Sequence, residues 1–176
     1  MRMFVVALAG LALAGCAPVI KESAAADIAP LRASMVEAIN PPTLAIWDLQ
    51  VEAMDDVGNF DPALMDEARW ASADRSAREL AAAARALAAA DGWIVAAPGS
   101  PYAQNAEGID VALIQSYIDA NPAAFGAYAQ ALARHADGLV AAAEARDTAA
   151  LTEAVNGLQP VCKACHDSFW YPELNR

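Results

Sequence analysis

Cys162, Lys163, Ala164, Cys165 and His166 follow one another only ten residues from the end of a 176-residue chain. Two thiols three positions apart on a helix point the same way, so both can add to the vinyl groups along one edge of a porphyrin. The histidine directly after the second thiol can then offer its imidazole to the iron. A zinc ribbon would need a second cysteine pair, and the chain has only three cysteines in all. A thioredoxin-like dithiol would follow a strand in a βαβ unit, and no such pattern surrounds this one. The constellation therefore predicts one covalently attached haem c bound by Cys162 and Cys165, with His166 as iron ligand.

The remaining cysteine lies at the other end. Met1-Arg2 is a short positive start, followed by the apolar run from Met3 to Ala14 and then Leu13-Ala14-Gly15-Cys16. This pattern reads as a secretory signal over residues 1–15 ending in a bacterial lipobox, with Cys16 lipidated. The apolar run is too short to remain as a membrane-spanning helix. All three cysteines then have covalent partners and no disulfide is implied. Export also fits the chemistry, because c-type haem is attached outside the cytoplasm. The expectation is a bacterial periplasmic protein held by lipid to a membrane, the outer rather than the inner.

The formal charge is −11 at pH 7. A chain this acidic repels nucleic acid and gains nothing from an anionic lipid surface, so its membrane contact would be the lipid anchor itself. The acidity favours basic redox proteins of the envelope as partners. Residues 16–29 carry no strong periodicity and read as a lipidated N-terminus and tether. Residues 30–176 are long enough for one domain with a substantial core.

Four helical segments follow, each with apolar residues alternating at spacings of three and four. In the first, from about Pro30 to Val57, the stripe is Met35, Ile39, Pro42, Ile46, Leu49 and Ala53, and Pro41-Pro42 should kink or break it. The second opens with Asp61 as N-cap and Pro62 behind it and stops at Asp91-Gly92. Its stripe is Trp70, Ala73, Ala77, Leu80, Ala84 and Leu87, with Arg69, Arg75, Arg78 and Arg85 on a solvated face. The third begins near Ile109 and keeps one phase through Ile118, Phe125, Tyr128, Leu132, His135 and Leu139, with Asn121-Pro122 as a kink or a fresh start. The fourth starts near Thr148, and its stripe of Leu151, Val155, Leu158, Cys162, Cys165 and Phe169 survives Gly157 and Pro160. Both haem cysteines thus fall on the inward face. No strand-like alternation with hairpin turns appears, so the fold class is all-α.

With Cys162, Cys165, His166 and Phe169 in the last helix, and Arg32 and Met35 opening the first, the chain resembles the cytochrome c' family over about residues 30 to 171. The resemblance implies an antiparallel up-down-up-down four-helix bundle with the haem attached to the last helix. It also implies, as in the low-spin members, that the Met of the first helix is the sixth iron ligand. The chain departs from the family in three places: Trp170 replaces a basic residue, Arg32 and Met35 are three apart, and Pro41-Pro42 interrupts the first helix.

In such a bundle, axial rise can compare ligand candidates. His166 stands about 28 Å above the turn near Asp147, Met35 about 35 Å above the turn near Gly58, and His135 about 18 Å up. Met35 is the nearer in level to His166, and His135 or an empty site stays open. Arg32 is placed to meet a haem propionate through a charge-assisted bond, and Phe169 to pack near the haem. Trp47, Trp70 and Trp93 read as packing residues. No Glu-x-x-His pair, zinc-protease motif, nucleophile elbow or phosphate loop is present, so no enzyme is expected. The expected function is single-electron transport on a haem held by His166 and Met35. The alternative is a five-coordinate haem that binds small gases such as nitric oxide. Homodimerisation stays open.

Overall fold

The computed structural model describes residues 27–106 and 109–171. The expected signal peptide of 1–15, Cys16 and most of the expected tether lie outside the described residues.

Chain entry into the domain is fixed by a short sheet. Strand β1 (Ile28–Pro30) pairs in parallel with β2 (Gly92–Ile94), Ala29 opposite Trp93. The side-chain amide of Gln115 extends the edge by accepting from Val95 N–H at 2.7 Å and donating to the Trp93 carbonyl at 3.2 Å. No strand is legible in the sequence pattern, which places Ile28 and Ala29 in the tether. Three-residue strands are too short to show a period of two, so only pairing defines them.

Helix α1 runs through three contiguous stretches: α-helical Leu31–Ala33, π-helical Ser34–Ile39 and α-helical Asn40–Glu52. Pro41 and Pro42 do not break it. Instead the turn before them widens, and Asn40 N–H donates to the Met35 carbonyl five residues back. The helix ends at Glu52 rather than Val57, because Asp55 folds the chain over. Its carboxylate accepts from the amides of Asn59 (2.8 Å) and Val57 (3.0 Å).

The predicted cap at Asp61 serves a single 3-10 turn, Pro62–Leu64, accepting from Ala63 N–H. Helix α2 (Glu67–Ala89) starts later, capped by Asp66 through Arg69 N–H at 2.9 Å. The two acidic caps lie five residues apart, and propensity alone does not choose between them. Asn121 makes a fresh start, ending α3 (Val111–Ala120) and capping α4 (Pro122–Ala145) through Ala124 N–H. Helix α5 (Thr148–Phe169) is capped by Asp147 and runs unbroken through Gly157 and Pro160.

The long helices α1, α2, α4 and α5 form a four-helix bundle, with α3 a short fifth helix. Helices α2 and α4 share the broadest contact. Ala73, Ala77, Ala81 and Ala84 of α2 and Ala136, Ala142 and Ala143 of α4 are all buried, and small side chains let the two backbones approach. Ion pairs rim this contact: Arg78 to Glu144 at 2.5 Å, Arg85 to Asp137, and Arg146 to Glu67 at 2.6 Å. All are exposed and screened by solvent, so each adds little to stability. The arginine face is therefore solvated, as expected, but partnered.

Helices α4 and α5 meet where His135 lies against Gly157. A Cβ on Gly157 would come within 2.9 Å of the His135 ring, whose Nε2 is 2.7 Å from the Ala154 carbonyl. The missing side chain of Gly157 sets how closely α5, and the cysteines one and two turns further on, can approach the bundle.

Candidate cofactor site

Helix α5 delivers Cys162, Cys165 and His166 to one wall of a cavity of about 340 Å³. That volume lies within the roughly 300–1,000 Å³ range of cofactor sites. Helix α1 supplies the facing wall with Met35, Ile39, Thr43, Leu44 and Trp47, and α4 closes the side with Phe125, Tyr128 and Leu132. Thr43 is buried, but its hydroxyl already donates to the Ile39 carbonyl at 2.8 Å, so it presents its methyl group as an apolar surface.

Burial sets the protonation of these three side chains. Burial pushes the Cys165 thiol up to about 12, and the neighbouring Cys162 adds to the rise. Cys162 is raised as well, mainly by burial. Both cysteines are free and stay neutral thiols at physiological pH. Burial also lowers the His166 pKa, opposed by the Asp167 carboxylate, which favours the neutral imidazole that a metal requires. The Trp170 and Tyr171 amides both donate to the His166 carbonyl at 2.8 Å, and the Trp170 ring lies 6.1 Å from the imidazole. The aromatic residue that replaces a basic one thus packs beside the histidine.

These residues fit a haem. Two neutral thiols and an imidazole on one wall, a thioether among the residues opposite and an apolar lining are the donor set and setting that a covalent porphyrin needs. Met35, Cys162, Cys165 and His166 are brought together, whereas Arg32 and Phe169 are not part of the lining. The Arg32 guanidinium is taken by backbone, donating to the carbonyls of Tyr102 and, at 2.8 Å, Gln104. It ties the 97–106 loop to α1, and Tyr102 returns a hydroxyl to Glu37 at 2.9 Å. Phe169 is buried one layer behind the cavity, edge-on to Phe125 at 5.2 Å and to Tyr128 at 6.1 Å. His135, the other ligand candidate, faces Ala154 and does not line the cavity.

Sequence reasoning did not assign Thr43, Leu44 or Trp47 to the site, because they lie off the stripe that packs α1 into the bundle. Their common signal is a second apolar face one quarter-turn round, and the first helix is apolar enough all round to hide it.

A family model described as Cytochrome C' matches residues 52–170. The match covers Cys162, Cys165 and His166 but begins after Arg32 and Met35. No curated protein and no solved structure matches the chain.

Proposed function

The chain belongs to the cytochrome c' family, and on that premise we propose that it carries single electrons on a haem held by His166 and Met35. Membership makes it a c-type haem protein with a covalently bound haem. Cys162 and Cys165 would hold the porphyrin by thioether bonds and His166 would ligate the iron from α5. The haem supplies one-electron redox chemistry. The observation that carries the reading is Met35, which lines the same cavity as His166 from the facing helix. A thioether in the sixth position closes the iron to exogenous ligands and raises its potential.

The chain's own residues set the conditions for that exchange. Ile39, Phe125 and Leu132 give the cavity an apolar lining, which would favour the less charged, reduced iron. Within the proposed up-down-up-down order, with the haem on α5, the ion pairs support the antiparallel course of α2 and α4. Arg78 meets Glu144 and Arg85 meets Asp137, so numbers fall along α4 as they rise along α2. Export, lipidation at Cys16, a periplasmic site at a membrane and basic redox partners complete the proposal on sequence grounds. Cys16→Ser should then release the protein from membranes or block its processing.

The deciding experiment is the absorption spectrum of the purified holoprotein with and without carbon monoxide. A low-spin spectrum with the weak long-wavelength iron–thioether band, lost in Met35→Leu, is expected. A wild-type protein that is high-spin and binds carbon monoxide readily refutes Met35 ligation. The apolar lining would then favour the gas-binding reading.

A further inference from the structure

We infer that Pro41 and Pro42 are positioning residues for the Met35 thioether: they impose the widened turn over Ser34–Ile39, and that turn brings Met35 round to the cavity. The inference rests on the reading of Met35 as an iron ligand.

Beyond the widened turn, Thr43 and Trp47 line the cavity one turn apart. An α-helix returns to the same face after about seven residues and again after about eleven. Counting back seven from Thr43, or eleven from Trp47, reaches Val36 in both cases. An uninterrupted α-helix would therefore present Val36 to the cavity. It would turn Met35 roughly 100° away, into line with Ile46 and Ala53, which are both buried in the core. The protein does the reverse. Met35 lines the cavity, and Val36 is 48% exposed.

The discrepancy is one residue, and the widened turn supplies it. A hydrogen bond that spans five residues instead of four inserts one extra position, and Asn40 N–H donates to the Met35 carbonyl in that way. Everything before the insertion is rotated by one residue relative to everything after it. Met35 takes the direction that Val36 would have had.

The prolines explain why the insertion sits there. Each pyrrolidine ring collides with the carbonyl four residues back, and here those are the carbonyls of Glu37 and Ala38. Neither ring offers an N–H in return. Opening the turn ahead of them relieves both collisions at once. Thr43 holds the far side, its hydroxyl bonded to the carbonyl of Ile39, the last residue of the widened stretch. A pair of alanines would form a better helix, since proline is about 3 kcal/mol worse than alanine in a helix interior. Their use here is rotational.

The test uses spectra of the holoprotein in a crossed set of variants. Pro41→Ala/Pro42→Ala should lose the iron–thioether band and admit carbon monoxide, although Met35 is intact. Adding Val36→Met to that helix should restore the band. In the helix that keeps both prolines, Met35→Leu/Val36→Met should show no band. Retention of the band in the double proline variant, failure of Val36→Met to restore it, or its presence in the last variant overturns the inference. A wild-type spectrum without the band refutes the ligand reading alone. Register is then read by alkylation of Val36→Cys, expected to slow about tenfold when both prolines are replaced, because exposure controls thiol reactivity. An unchanged rate overturns the inference in that case too.

Discussion

Gly157 and Gly138 are both helical glycines, and the structure assigns opposite signs to their replacement by alanine. Gly138 on α4 has nothing within 4 Å of an added Cβ. Gly138→Ala should therefore show only the helix-propensity gain and stabilise by about 0.5–1 kcal/mol. Gly157 on α5 has the His135 ring at 2.9 Å from the added carbon, closer than real contacts allow. The ring cannot yield freely, because its Nε2 is bonded to the Ala154 carbonyl at 2.7 Å. Overpacking costs about 1–3 kcal/mol, and losing the hydrogen bond adds about 1. Against these stands the same propensity gain of about 1 kcal/mol. Gly157→Ala should thus destabilise by about 1–3 kcal/mol, lowering Tm by a few to about 10 °C for a domain of this size. The assay is thermal unfolding of the holoprotein followed by circular dichroism. A double-mutant cycle isolates the cause: with His135→Ala in place, Gly157→Ala should become neutral or stabilising. If Gly157→Ala stabilises the wild type, or destabilises equally without His135, the packing account of the α4–α5 contact is wrong.

Three further outcomes follow. Phe125 is buried and packed between Trp93 at 5.0 Å, tilted, and Phe169 at 5.2 Å, edge-on, so Phe125→Ala should cost about 3–5 kcal/mol in denaturant unfolding. A loss under about 1.5 kcal/mol would mean that the aromatic column does not brace the cavity. Amide hydrogens, first that of Asn59 and also that of Val57, hold the Asp55 carboxyl below the usual carboxylate range. A depressed folded pKa means that this contribution is fully present above the unfolded value near about 3.9 and lost as pH falls through the folded pKa. Carboxyl NMR should place its midpoint below that of aspartate in a short peptide, and an equal midpoint would remove the turn-locking role. Asn121→Ala removes the cap on Ala124 N–H and should cost about 1 kcal/mol, whereas unchanged stability would show that Pro122 alone starts α4.

The constellation of Cys162, Cys165 and His166, proposed to attach the haem, stands out without any structure because its meaning is local. Two thiols and a histidine within five residues can serve one porphyrin whatever surrounds them, provided that they share a helix. The inward stripes of α2, α4 and α5 were equally legible. From Trp70 to Leu87, and from Leu151 to Phe169, the helix repeat alone decides which side chains are buried, and every non-cysteine residue of those stripes is buried. The proposed lipidation at Cys16 also rests on a local sequence signal, and it lies outside the described residues. What the sequence could not decide depends on where a helix stands against its neighbours. Arg32 goes to the 97–106 loop, and a side chain long enough to reach several partners shows its choice only in three dimensions. His135 reads as an inward histidine from its phase, but only the approach of Gly157 assigns it to Ala154 and not to iron. Met35 is the clearest case. Its four-residue spacing to Ile39 suggested the common core stripe, yet the widened turn before Pro41 moves it to a different face. Periodicity assumes one residue count per turn, and where the backbone changes that count, the folded chain alone says which way a side chain points.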